Sequence, residues 1–118
     1  MPEVQQVFDA ELVRVIDADT LVIQLDKFHG DQSTKTLRLL GVDAPELRTE
    51  GGKAARDFAA SFLAGPLVVQ TAKFDSFGRV LAYVWRKSDG ASLGDALREA
   101  GHARAVSELA QLKAAREG

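Results

Sequence analysis

The chain has no cysteine among its 118 residues. That absence excludes disulfide frameworks, thiolate metal sites and a cysteine nucleophile, and leaves the redox compartment open. Only two histidines are present, His29 and His102, too few and too far apart in the chain for a histidine metal site or a catalytic triad. No apolar run approaches the roughly 20 residues of a membrane-spanning helix, so no membrane association is expected. Met1 to Gln6 lack the basic and apolar regions of a secretory signal. A chain trimmed of such a signal would read the same, so the compartment stays open. Repeats, low-complexity tracts and linker-like stretches are missing too, and the length suits one domain over 1–118. Excess positive charge is also lacking: 15 Lys and Arg stand against 17 Asp and Glu, a net of −2. Proteins that hold nucleic acid by bulk electrostatics are ordinarily basic. A polyanionic partner must here be met by a local cluster of cations or by a metal ion.

What is present is globular in proportion, with 46% hydrophobic and 27% charged residues. Leu12, Arg14 and Ile16 alternate with Val13 and Val15, and Thr20 to Leu25 favours strand with Leu21, Ile23 and Leu25 on one face. Asp26 to Ser33 is polar and reads as a hairpin loop. Thr34 to Gly41 reads as a third strand, with Thr36, Arg38 and Leu40 on one face and Leu37 and Leu39 on the other. Ala55, Phe58, Ala59 and Phe62 recur at helical spacing, which predicts a helix over Glu50 to Leu63, stopped by Gly65-Pro66, with both phenylalanines in the core. Leu67 to Lys73 and Val80 to Arg86 are expected strands around a turn at Asp75 to Gly78. Ser92 and Asp95 have capping-box spacing before the stripe Leu93, Ala96, Leu97 and Ala100, and Gly101 is the stop. Ser107 can cap a last helix carrying Leu109 and Leu112. Leu81, Tyr83 and Trp85 share a strand face that reads as core rather than as a stacking platform, while Arg86, Lys87, Arg98 and Arg104 read as solvated. Three strands, a helix, two strands and two helices are the order of an α+β protein built on a five-stranded OB-type barrel. A mixed α+β sheet fits the same string.

The chemistry concentrates in three segments: Val13 to Thr20, Leu37 to Glu46, and Asp75 to Arg79. Asp19 and Asp43 are hard oxygen donors, and two carboxylates with a backbone carbonyl suit Ca²⁺ or Mg²⁺. Pro45 biases Ala44 toward an extended conformation, which gives the Ala44 carbonyl a fixed direction beside Asp43. Glu46 is a candidate general base, or a carboxylate that orients a water. Arg38 and Arg79 carry planar forks that match phosphate oxygens. A metal and two arginines around one phosphate stabilise the charge that develops in phosphoryl transfer. Each segment also has a plain reading. Asp17 and Asp19 suit local hydrogen bonding in a turn. Asp43 to Glu46 suits a loop before a helix, and Asp75 to Arg79 an ordinary hairpin turn. Arg38 among leucines needs a partner, and Asp43 or Glu46 would give a structural ion pair. The co-occurrence of all three segments at strand ends weighs toward chemistry.

In these residues the sequence resembles the staphylococcal nuclease-like (thermonuclease) family of Ca²⁺-dependent phosphodiesterases. The matching stretches are Asp17-Ala18-Asp19-Thr20, Arg38 to Glu46, Asp75-Ser76-Phe77-Gly78-Arg79, and Ala96-Leu97-Arg98-Glu99-Ala100-Gly101, in one order along nearly the whole chain. The resemblance implies an OB-fold barrel with three helices. It implies Asp19, Asp43 and the Ala44 carbonyl as Ca²⁺ ligands with Asp17 just behind them, Glu46 acting on the attacking water, and Arg38 and Arg79 on the scissile phosphate. It also implies a monomer that cleaves the 5′-O–P bond of DNA and RNA, single strands preferred, leaving 3′-phosphates. The staphylococcal enzyme has Lys and Tyr where Ser76 and Phe77 stand, so these two are expected to be weak substrate contacts. It has a further Tyr at the position of Ser107 and Asn at that of Gly94, and the family commonly has Gly at Ala18. The charged positions are all retained, which favours an enzyme over a catalytically idle OB-fold module that binds nucleic acid or protein, and over a domain whose acids and arginines form a purely structural ion network.

Overall fold

A computed structural model describes residues 6–27, 30–74 and 78–117. In chain order the elements are β1 (Gln6–Asp17), β2 (Thr20–Asp26), β3 (Gln32–Leu39), β4 (Val42–Asp43), α1 (Glu50–Phe62), β5 (Leu67–Phe74), β6 (Val80–Arg86), α2 (Leu93–Glu99), β7 (Arg104–Ala105) and α3 (Glu108–Glu117). Five strands close into a barrel in the order β1-β2-β3-β6-β5, with β5 returning to β1. The β3–β6 pair is parallel and the others antiparallel. This is the OB-type closure that the element order implied. Among the described residues no helix is long and apolar enough to cross a membrane.

The period-2 pattern fills the barrel. Leu21, Ile23 and Leu25 from β2, Leu37 and Leu39 from β3, Leu67 and Val69 from β5, and Val80, Ala82 and Val84 from β6 are all buried. Each such leucine contributes roughly 2 kcal/mol of apolar burial. α1 adds Ala55, Ala59 and Phe62, and α2 adds Leu93 and Leu97. Both helices start where short polar side chains take up free N–H groups: Thr49 Oγ1 accepts from Gly52 N–H at 2.9 Å, and Ser92 Oγ from Asp95 N–H at 3.3 Å.

Four expectations need correction. The β1 alternation is broken by register shifts between Leu12 and Arg14 and between Val15 and Asp17. The extra residue of a bulge resets the phase, so Leu12 and Val15, three apart, both pack on the core while Val13 is exposed. β3 begins at Gln32, because Gln24 Nε2 donates to Gln32 Oε1 at 2.9 Å and Gln32 Nε2 to Asp26 Oδ1 at 3.2 Å, carrying the ladder into a polar stretch that read as loop. On β6 Leu81 is buried as expected, but the interior face is Val80, Ala82 and Val84. Tyr83 and Trp85 are half-buried outside the barrel with ring centroids 5.8 Å apart. In α3, Ser107 does cap, but Leu109 is exposed, and polar bonds tie the helix down instead. Glu108 accepts the Tyr83 hydroxyl proton, and Gln111 accepts from Gly41 N–H at 2.7 Å and donates to the Leu39 carbonyl at 3.2 Å.

Candidate active site

The β1–β2 turn and the β3–β4 connection meet at one end of the barrel. β3 pairs with β2 so that Arg38 lies opposite Thr20, which puts the guanidinium beside the Asp17-Ala18-Asp19 turn. Gly41 reverses the chain between β3 and β4 with φ +86°, a conformation that other residues rarely adopt. Asp43 is thereby returned to the arginine five residues behind it.

Asp19 is 5% exposed, and each of its carboxylate oxygens is occupied. Oδ1 accepts from the Thr20 hydroxyl at 3.0 Å, and Oδ2 accepts from Ala44 N–H at 2.8 Å and sits 3.3 Å from Arg38 Nη1. Arg38 Nη1 also donates to the carbonyls of Val42 at 2.8 Å and Leu39 at 3.0 Å, while Nη2 donates to Asp43 Oδ1 at 3.2 Å. One half-buried guanidinium therefore joins the two aspartates, which meets the requirement that a buried charge be paired. The second Asp43 oxygen faces Arg104, whose Nη2 and Nε lie at 3.0 and 3.3 Å.

The other candidates are placed as follows. Asp17 Oδ1 accepts from Leu47 N–H at 2.8 Å, so the first acid of the turn grips the loop after Pro45. Glu46 lies in that loop with its carboxylate exposed and 2.6 Å from Arg48 Nε. Arg79 is half-buried just before β6, whose first residue pairs with Leu37, so it enters on the strand next to that of Arg38. Ser76 and Phe77 lie outside the described residues, as does His29. The structure thus brings Asp19, Asp43, Arg38 and the Ala44 backbone into contact and joins Asp17 to the loop of Glu46. Arg104, expected to be merely solvated, is the participant that the sequence did not reveal. No local pattern marks it, and it arrives through the two-residue β4–β7 pairing, Asp43 opposite Arg104.

Residues 36–117 match the family described as Staphylococcal nuclease homologue. The chain belongs to that family. It is similar to Thermonuclease from Staphylococcus hyicus, 37% identical over 84 positions covering 64% of this chain and 47% of the relative. Thermonuclease from Staphylococcus intermedius is 40% identical over 81 positions covering 61% and 45% of the two chains. A protein of Escherichia coli described as Uncharacterized endonuclease is 31% identical over 93 positions covering 78% and 57%. The chain spans about half the length of these curated relatives. For a staphylococcal nuclease homologue, the resemblance implies Ca²⁺, and the donor set can be tested for fit. Asp19 Oδ2 and Asp43 Oδ1 both face a single centre of positive charge, the Arg38 guanidinium. Two hard oxygens oriented toward one cation fit a hard divalent ion. No group of three His, Asp or Glu side chains gathers among the described residues, so backbone oxygen and water would complete the shell.

Proposed function

We propose that this domain is a Ca²⁺-dependent nuclease, acting as a monomer on DNA and RNA with single strands preferred. The observation that carries the reading is the Arg38 bridge between Asp19 and Asp43. It sets an acidic pair and a phosphate-matching fork together at one end of the barrel, as a phosphodiesterase requires. Asp19, Asp43 and the Ala44 carbonyl would hold the ion, which when bound supplies positive charge to a phosphate oxygen.

The chain's own residues do the rest. Arg38 and Arg79 bind the non-bridging oxygens of the scissile phosphate and stabilise the added charge of the pentacovalent state. Glu46 takes a proton from the attacking water, or orients it. Water oxygen bonds to phosphorus, the bond from phosphorus to O5′ breaks, the departing 5′-oxygen takes a proton from solvent water, and the phosphate stays on the 3′ side. Asp17 holds the loop of Glu46 through Leu47 N–H, one step removed from the ion. In the structure Glu46 is engaged by Arg48, and substrate must draw its carboxylate inward.

One observation favours a second reading, a module that binds strands without cutting. The Arg38 donors are already committed to two aspartates and two carbonyls. Denatured plasmid DNA incubated with Ca²⁺ or with a chelator separates the two. The nuclease reading expects cleavage that needs the metal and falls at least about 100-fold in Glu46→Ala and in Arg79→Ala, the scale of a lost general base or charge clamp. Retention of DNA without cleavage under every condition leaves only the binding module.

A further inference from the structure

Beside Asp43, on the side away from β3, lies a cleft of about 370 Å³ between the segment Asp43-Ala44-Pro45 and the turn 101–104 after α2. His102 forms part of its wall. Its backbone N–H is fixed to the Leu97 carbonyl at 2.8 Å, and its ring rests against Phe58 with centroids 4.9 Å apart. Pro45 lines it too, as does Arg104, whose side chain is 78% exposed and pairs with Asp43. None of the residues assigned above to hold phosphate or water, Arg38, Arg79 or Glu46, lines this cleft.

We propose that the cleft binds the nucleotide next to the scissile linkage of a single strand, its base against His102 and Pro45 and its phosphate on Arg104. This rests on the nuclease reading of the neighbouring site. Three observations support it. The cleft is continuous with Asp43, so a strand whose phosphate reaches the site extends into it. Two of its lining residues, His102 and Pro45, carry rings, and rings are surfaces on which unpaired bases stack without regard to sequence. Its one exposed cation has the fork that phosphate takes, and its volume falls in the range of small-ligand sites.

The test uses the full chain carrying Glu46→Gln, so that strands survive, with Ca²⁺ and fluorescent oligothymidylates of two to six nucleotides. Adding Arg104→Gln is expected to make the log–log salt dependence of binding shallower by about 0.7, one phosphate on a single strand. It should also remove the several-fold gain in affinity from the nucleotide that fills the cleft. Arg104→Lys should restore the slope, which separates lost charge from lost fold. The His102 imidazole resonances, one of two such sets in the chain, should shift as oligothymidylate saturates the protein. An unchanged slope in Arg104→Gln with unmoved His102 resonances overturns the proposal. Failure of the wild type to cleave overturns the nuclease reading instead, and leaves these binding readouts intact.

Discussion

Asp43 is shared by two arginines, one on each oxygen, and Asp19 is closed in by a hydroxyl, an N–H and one of the same arginines. Neutral as a group, the cluster stands ready for exchange of partners rather than for bulk attraction of polyanion. A different side chain offers a residue-level check of the surroundings. Burial, then the hydrogen bond it donates to Glu108 and the charge of that carboxylate, push the Tyr83 phenol up from 10.0 to about 12. Tyr83 is the only tyrosine, so tyrosinate absorbance reads it directly. The expected midpoint is near 12 in the wild type, moving part of the way back toward 10 in Glu108→Gln because burial remains. The folded state favours the protonated phenol. Its stabilising contribution is therefore complete below pH 10 and lost as pH rises toward 12. A wild-type midpoint at 10 would contradict both the burial of the phenol and its bond to Glu108. At this scale the sequence was legible where charge sat against apolar neighbours: Arg38 between leucines needed a partner, and of the two acids expected, Asp43 is one, while Glu46 lies on Arg48 and Asp19 takes the other place. Arg104 was not legible, because its partner lies 61 residues away and only the fold brings them together.

The loop that carries Glu46 is held by the element that follows it. Thr49 N–H and Oγ1 both donate to the Glu46 carbonyl, at 3.0 and 2.7 Å, and Thr49 caps α1. Gly52 packs so closely that a Cβ there would lie 1.8 Å from the Glu46 carbonyl oxygen. Helix propensity alone would make Gly52→Ala stabilising by about 1 kcal/mol. The backbone clash reverses the sign, since neither the helix nor the capped loop can give by that distance. We expect Gly52→Ala to lower thermal stability and to reduce cleavage by about tenfold or more, equivalent to at least about 1.4 kcal/mol in the barrier, with the barrel's near-ultraviolet signal from Trp85 retained. A stabilised and fully active Gly52→Ala would refute the close packing. Among the elements, α2 was readable from Ser92 and its leucines, and α1 from its alanines and phenylalanines. The β1 bulges were not, because Val13 is as apolar as Leu12 and Val15 and no composition marks the added residue. Two-residue strands such as β4 and β7 carry no period at all.

As a whole the molecule closes an OB-type barrel over a leucine-rich core, one of the two architectures that the succession of strands and helices fitted. Its charge works against tight polyanion binding: the net is −2, and Arg38 and Arg104 are both paired with acids. We expect the log–log dependence of oligonucleotide affinity on salt to be no steeper than about −4, at roughly 0.7 to 0.9 per phosphate contacted. A steeper slope would mean that a wider basic track exists. The most direct measurement of the central claim is a Ca²⁺ titration followed by backbone amide resonances, in the presence of oligonucleotide. If Asp19 and Asp43 gather one divalent ion beside Arg38, the largest shifts fall at Asp19, Asp43 and Ala44, saturate together with one stoichiometry, and vanish in Asp43→Asn. Shifts that leave those three amides unmoved while cleavage still requires Ca²⁺ would place the ion elsewhere and contradict the account.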